Sequence, residues 1–453
     1  MFILNTQLLK LKEKLKGKTV AVLGAGVSNR PLVPMFSSWG AKVTVRDRNE
    51  SVDKAAVSGG YDVRFVLGDG YLDGLCEDYI FRSPGMRFDL PEIERAVAAG
   101  SVLTSEMECF FDVCPGKIIG VTGSDGKTTT TTLIYKLLTH AGYSCFLGGN
   151  IGAPLLDRAE SMGPSDIAVV ELSSFQLHTM RKSPDIAVVT NLSPNHLDVH
   201  KSYREYIDAK RNILLFQSEN GIAVINGGNA DSLPLKDDAK GELRTFSAHT
   251  DGTLLHLSGD YICYGDEKYL GVQDIKIPGV HNIENYMAAI AAVHDFISKE
   301  DAEAVAATFG GVEHRLELVR ELGGVKYYNS SIDSSPKRTI AALSTFKQKV
   351  ILLSGGKDKG IPYDEIGPAI KKYVKHLILI GKTADAIEAA AKSAGCDIPI
   401  ERCGNYRELV EKARAAAEPG DIVILSPAST SFDMFKNFEE RGNTFKRFVN
   451  ELR

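Results

Sequence analysis

The chain has 453 residues, a formal net charge of −5 and a 43% hydrophobic content, which together suggest about three ordinary globular domains, each able to bury its own core. The negative balance, without dense Lys/Arg runs, excludes a broad basic face for nucleic acid, and no apolar run reaches membrane-spanning length. Seven cysteines with no Cys-x-x-Cys pair fit small core thiols in a reducing cytoplasm.

Residues 1–18 alternate Leu with Lys and Glu and predict an amphipathic helix. They do not read as a signal peptide, because no apolar segment follows a basic start. Residues 18–23 predict a strand that runs into Gly24-Ala25-Gly26 and then a helix. A second strand over 42–45 leads to Asp47, which lies 21 residues after Gly26. This resembles a dinucleotide turn, with glycines for a pyrophosphate and an acid for a ribose hydroxyl. Asn29 stands where the third glycine would be, so NAD(P) and another nucleotide diphosphate both remain open. The strand 79–82 ends in Ser83-Pro84-Gly85, another strand-to-loop switch. A helix over 106–111 and the break Cys114-Pro115-Gly116 place a boundary near 112.

Residues 118–128 organise the rest. An apolar strand enters Gly123-Ser124-Asp125-Gly126-Lys127-Thr128 and then a helix reaching about 140. Glycines let backbone N–H groups approach a phosphate, and the helix points the positive end of its dipole at the same anion. Lys127 is placed to reach terminal phosphates and the Thr128 hydroxyl to hold Mg²⁺. Val121 stands where the full P-loop spacing has its first glycine. Thr128 to Thr132 are poor helix formers, so helicity here depends on burial of Leu133, Ile134, Leu137 and Leu138.

Two β-branched strands follow, over 166–170 into Glu171 and over 185–189 into Thr190-Asn191. Such runs predict a buried parallel sheet whose carboxyl ends share one edge with the phosphate loop. Glu171 falls where a Mg²⁺-directing carboxylate is expected, and His196 on the next loop is either a second metal ligand or a capped surface histidine. A third strand covers 222–226, and 227–279 shows only polar turns and short strands. His281-Asn282 opens an apolar helix over 286–296, whose start suits a base or ribose but also ordinary capping.

From about 311, strands over 350–354, 376–380 and 421–425 enter polar loops and are separated by Ala-rich helices. This is a further doubly wound α/β domain with three loops on one rim. The expected architecture is therefore α/β in three domains: a Rossmann-like domain over 1–112, a P-loop domain with a parallel sheet over 113–310, and a Rossmann-like domain over 311–453.

The order Thr122-Gly123-Ser124-Asp125-Gly126-Lys127-Thr128, Gly149-Asn150-Ile151-Gly152, Glu171-Leu172-Ser173-Ser174-Phe175-Gln176-Leu177, His281-Asn282 and His314-Arg315 resembles the Mur ligases across essentially the whole chain. The ending Ser426 to Gly442 is similar to the D-glutamate-adding members of that family. The resemblance implies an ATP-dependent ligase of peptidoglycan synthesis, with UDP-N-acetylmuramoyl-L-alanine, D-glutamate and ATP as substrates, acting as a cytoplasmic monomer. Its relatives of the same architecture include ligases for other amino acids and folylpolyglutamate synthetases, and a catalytically silent nucleotide-binding homologue is a further alternative.

By the same resemblance, the catalytic set is Lys127, Glu171, His196, Lys210 and Arg315. ATP would meet Gly123, Ser124, Asp125, Gly126, Lys127, Thr128, Thr129, Asn282, Asn285, Arg315 and Ser330. Thr128, Glu171, His196 and a carbamylated Lys210 would surround two Mg²⁺ ions. The UDP substrate would meet Gly24, Gly26, Val27, Asp47, Ser83 and Asn150. D-glutamate would meet Ser334, Lys359, Ser431, Phe432 and Phe438. Three residues depart from the family pattern. Asp125 stands for Asn beside the triphosphate, Ser330 for an Asp directed at the ATP ribose (with Asp333 three residues later), and Ser334 for Thr. Residues 203–214 predict a helix with Tyr206, Ile207, Leu214 and Ile213 inward, and Arg204, Glu205, Asp208 and Arg211 toward solvent. Lys210 then falls on or beside the buried face, where a lowered pKa would favour reaction with CO₂.

Overall fold

The computed structural model describes residues 5–197, 199–277, 279–358 and 362–453. The chain divides into two compact units, the first reaching Ile275 and including Val280–Ala307, the second made of Lys276–Gly279 and Thr308–Arg453.

The first unit holds two sheets. One has five parallel strands in the order Arg64–Leu67, Lys42–Asp47, Thr19–Leu23, Tyr79–Arg82 and Val102–Thr104. The other has nine, in the order Glu267–Gly271, Tyr261–Tyr264, Leu255–Ser258, Glu242–Ser247, Ile222–Asn226, Ile186–Val189, Lys117–Thr122, Ile167–Glu171 and Cys145–Gly149. Its inner strands are parallel, and the two pairings nearest the Glu267–Gly271 edge are antiparallel. That edge is built from the 227–279 region, in which no periodic pattern was legible.

The two sheets share a core. Phe36, Phe81, Phe110 and Val113 belong to the same apolar cluster as Leu155, Val170, Ala187 and Ile225. Continuous burial across the break at Cys114 places the five-stranded and nine-stranded sheets in the same compact unit. The N-terminal helix runs over Thr6–Leu15, and its Asn5 cap accepts from Leu8 N while its side-chain amide donates to Val113 O at 2.8 Å.

The helix after the phosphate loop covers Lys127–His140. Leu133, Ile134, Leu137 and Leu138 are fully buried, as its threonine-rich start requires. Thr131 and Thr132 return their hydroxyls to the carbonyls of Lys127 and Thr128 at 2.8 and 2.7 Å, which satisfies them inside the helix. The helix packs against Val280–Val293, which begins six residues earlier than expected and ends in a 3₁₀ turn, His294–Phe296.

The second unit contains a six-stranded sheet in the order Glu317–Leu322, Val325–Asn329, Ile422–Leu425, Val350–Ser354, Val374–Ile380 and Ile400–Cys403. Only the first pair is antiparallel. Apolar clusters on both faces cover the strands, as a parallel sheet demands. Among the described residues, no helix is long and apolar enough to cross a membrane.

Candidate active site

The strand Lys117–Thr122 delivers the loop 123–126 to the start of the helix Lys127–His140. Gly123 has φ +146°, and a Cβ there would collide with Thr190 Oγ1. Gly126 has φ +76° and would collide with Asn285 Oδ1. Both positions therefore need glycine for space as well as for conformation. The loop is tied to the strand-end loop beside it. Thr190 Oγ1 donates to Asp125 O at 2.6 Å, Asp125 N to Asn191 Oδ1 at 2.9 Å, and Ser124 N to Asn191 O at 2.8 Å. The buried Ser124 hydroxyl also bonds Ser193 O and Tyr206 Oη, each at 2.9 Å. Lys127 Nζ curls back to Gly123 O and Ser124 O at 2.9 and 2.8 Å, a position from which it reaches over the loop. Asp125 is exposed and Thr129 half-buried.

At the carboxyl ends of adjacent strands, Thr128 Oγ1 donates to Glu171 Oε2 at 2.7 Å, and Asn150 Nδ2 donates to Glu171 Oε1 at 2.6 Å. Glu171 is 1% exposed, so these two polar side chains replace its hydration. Asn150, expected on the UDP side, touches the Glu171 carboxylate beside the phosphate loop.

Lys210 lies on the helix Tyr203–Leu215 and is also 1% exposed. Its Nζ donates to Thr122 Oγ1 at 3.1 Å and sits 4.8 Å from the Tyr206 ring centre. Burial pushes its pKa well below the ordinary lysine value, and Lys127 pushes the same way, while Glu171 and Asp125 oppose. His196 has φ +54° on an exposed turn, with its ring edge-on to Phe175 at 5.1 Å and 6.4 Å from Tyr206. Lys210 and His196 therefore share Tyr206 as a neighbour.

Beside the loop is a cavity of about 360 Å³, lined by Asp125, Gly126, Thr190, Asn191, Phe246, His281, Glu284 and Asn285. Asn285 donates to Asn282 Oδ1 at 3.0 Å and accepts from Thr130 Oγ1 at 3.2 Å. The start of the Val280–Val293 helix is thereby fixed against the phosphate-loop helix.

On the five-stranded sheet, Gly24, Asp47 and Ser83 meet at the strand ends. Asp47 Oδ2 accepts from Ala25 N at 2.7 Å, Ser83 N donates to Leu23 O, and Gly24, at φ +86°, leaves only 3.1 Å between a Cβ and Ser83 Oγ. Gly26 O accepts from Arg30 N, and Val27 is 77% exposed at the tip. Asn29, in the place of a third glycine, sends its amide to Leu23 O at 3.0 Å and so braces the turn from inside.

In the second unit, Arg315 is exposed on a turn flanked by left-handed His314 and Leu316. Ser330 is buried, accepting from Leu316 N at 3.2 Å. Asp333, the alternative ribose acid, is buried as well and accepts from Ser426 Oγ at 2.8 Å. Burial raises its carboxyl to about 6. Ser334 N donates to Ile332 O in the same turn. Ser431 is buried, Phe432 is 61% exposed, and the ring of Phe438 stands edge-on to His314 at 6.0 Å. Lys359 lies outside the described residues.

The helix Tyr203–Leu215 corrects one expectation. Glu205 is not simply turned to solvent, because Arg87 of the first sheet's loop holds it at 3.0 Å. Arg211 likewise pairs with Asp238. Thr190 and Tyr206, which with Thr122 frame the loop and Lys210, carried no motif signal. Their roles arise only when strand ends are brought side by side.

A family model described as the Mur ligase middle domain matches residues 121–293, and one described as the Mur ligase glutamate ligase domain matches 314–429. The chain is 53% identical to the UDP-N-acetylmuramoylalanine–D-glutamate ligase of Ruminiclostridium cellulolyticum, covering 99% of this chain and 100% of that one. It is 52% identical to the ligase of the same name from Acetivibrio thermocellus, with the same coverage. Among solved structures it shares its fold with UDP-N-acetylmuramate-alanine ligase from Thermotoga maritima, at 17% identity and TM-score 0.59 over 96% of this chain and 100% of that one. A MurF ligase from Thermotoga maritima, in complex with ADP, gives 17% and 0.55 over 97% of each. Full-length identity above one half, together with two family models that cover the phosphate loop and the second sheet, establishes that the chain belongs to the Mur ligase family.

Proposed function

We propose that this chain is an ATP-dependent ligase that joins D-glutamate to UDP-N-acetylmuramoyl-L-alanine in peptidoglycan synthesis, releasing ADP and phosphate. The observation that carries the reading is the cluster of Thr128, Glu171 and Asn150 at the phosphate loop, in a chain 53% identical from end to end to a ligase of that name.

A carboxylate is a poor electrophile. Transfer of the ATP γ-phosphoryl group to it gives an acyl phosphate, and the amine of D-glutamate then displaces phosphate through a tetrahedral intermediate. The protein's part is positioning and charge neutralisation. The backbone N–H groups at the start of the Lys127–His140 helix cradle the phosphates, those of Ser124 and Asp125 being committed to Asn191, and Lys127 exchanges its two loop carbonyls for phosphate oxygens. The Thr128 hydroxyl and Glu171 carboxylate are hard oxygen donors, suited to Mg²⁺, which would supply neutralisation of the triphosphate charge.

Lys210, buried and displaced toward its neutral form, can add to CO₂, forming an N–C bond and releasing one proton. The product is an anionic carboxylate on a long arm, which with His196 and Glu171 would complete an oxygen-rich set. Asn282, Asn285 and the cavity beside Gly126 take the nucleoside of ATP. The turn Gly24 to Val27, with Asp47 and Ser83, takes the uridine end of the acceptor. In the second unit, Arg315 is the cation assigned to catalysis, and Ser334, Lys359, Ser431, Phe432 and Phe438 receive D-glutamate.

Phosphate release from ATP with UDP-N-acetylmuramoyl-L-alanine, comparing D- with L-glutamate, tests the reading. Turnover only with the D-isomer is expected. Preference for another amino acid, or no turnover with any, overturns it.

A further inference from the structure

Away from the phosphate loop, three segments of the first unit bring His178, His200 and Glu205 together. Their ligand atoms all lie within 4.8 Å of one another. His178 follows the short helix Ser174–Leu177, His200 ends the loop that carries His196, and Glu205 lies in the first turn of Tyr203–Leu215. We propose that these three side chains form a second metal site, for a borderline transition ion such as Zn²⁺, separate from the Mg²⁺-directing residues at the phosphate loop.

The geometry is close to that of a ligand set. His178 Nε2 is 3.6 Å from Glu205 Oε1, and His200 Nδ1 is 3.6 Å from Glu205 Oε2. Ligands about 2.0–2.1 Å from a tetrahedral ion sit only slightly nearer to one another. Two imidazoles with one carboxylate favour zinc-like ions over Mg²⁺, which prefers oxygen alone.

His200 supplies the second observation. Its side chain is 1% exposed, and its Nδ1 has no hydrogen-bond partner. Its Nε2 bonds Ser174 Oγ at 2.9 Å. A proton on Nε2 leaves the Nδ1 lone pair facing an anionic oxygen, a repulsive pairing that a cation between them relieves. Ser174 then orients the ring, as partners behind metal-bound imidazoles do. Burial also lowers the pKa of both histidines, keeping them in the neutral, ligating form.

Arg87 donates to both Glu205 oxygens, at 3.0 and 3.4 Å, but its other edge is held by Asp89, which also takes the exposed Lys201 ammonium. Glu205 Oε2 also accepts from Lys201 N, so Oε1, with Arg87 as its one donor, keeps the lone pair for an ion. A cavity of about 10 Å³ borders His178 and His200, room for about one water as a fourth ligand. The ion would fasten the His196 loop to the helix that carries Lys210, a structural clamp.

The test titrates the full chain with Co²⁺ in millimolar Mg²⁺ and follows visible absorption. One equivalent with a tetrahedral or five-coordinate spectrum is expected. His178→Gln and Glu205→Gln, each with an unchanged circular dichroism spectrum, should weaken binding at least about tenfold. His196→Gln should leave the band in place. No band in the unaltered chain, a band that survives both substitutions, or a band lost only with His196→Gln each overturns the proposal.

Discussion

Lys210 Nζ lies 3.1 Å from Thr122 Oγ1, and that hydroxyl is committed in turn to Leu172 O at 2.8 Å. A buried amine is thus held by a neutral acceptor, not by a carboxylate. An ammonium is costly in that setting, and the neutral amine is the reactive form toward CO₂.

Lys210→Arg keeps a positive charge but cannot form a carbamate. It should lower kcat by at least about 100-fold while the chain stays folded. Depleting dissolved CO₂ should lower the activity of the unaltered enzyme, and added bicarbonate should restore it. Bicarbonate-independent activity, or near-normal turnover in the variant, would count against carbamylation.

Lys127→Ala removes the side-chain cation of the phosphate loop. ADP release should fall by at least about 100-fold, with binding of the UDP substrate, assigned to the other sheet of the unit, within about twofold of normal. Calorimetry of that substrate beside the ADP assay separates loss of chemistry from loss of folding.

Gly126→Ala places a Cβ against Asn285 Oδ1 at a φ of +76°. The left-handed backbone alone costs about 1–2 kcal/mol. The KM for ATP should rise with a modest drop in melting temperature. An unchanged KM would separate the Asn285 side of the cavity from ATP.

Asp47→Ala removes the acceptor for Ala25 N and loosens the Gly24–Gly26 turn. The KM for UDP-N-acetylmuramoyl-L-alanine should rise several-fold and that for ATP should not. Parallel increases in both would point to a general loss of structure.

Asp333 carries a pH dependence. Its folded carboxyl, at about 6, holds its proton more tightly than the unfolded one at 3.8. Its contribution to stability is therefore intact below pH 3.8 and is lost as pH rises through 6, up to about 3 kcal/mol. Asp333→Asn should raise the melting temperature of the second unit at pH 7.5 and leave it nearly unchanged at pH 4. An equal gain at both pH values would mean that ionisation is not the cause.

Local chemistry was legible where one segment carries its own signal. The glycine loop 123–126, the β-branched strands before Glu171 and Thr190, and the need to bury Leu133, Ile134, Leu137 and Leu138 follow from short-range patterning, because period and backbone conformation are set by neighbouring residues. The same patterning placed Lys210 on or beside the inward face of its helix. The antiparallel edge of the nine-stranded sheet was not legible in 227–279, since short half-exposed strands alternate too briefly to stand out from turns. The partner of Glu205 was not legible either. Arg87 is 118 residues away in sequence, and only the shared core of the two sheets brings them to 3.0 Å. Charge, hydroxyls and backbone freedom at the strand ends are read directly from residue identity and spacing. That Lys210 faces Thr122, that Asn150 meets Glu171 and that His200 is buried against Glu205 follows from the packing of distant segments. Those pairings depend on how separate strands and helices stack, and burial, which sets their electrostatics, is a property of that stacking.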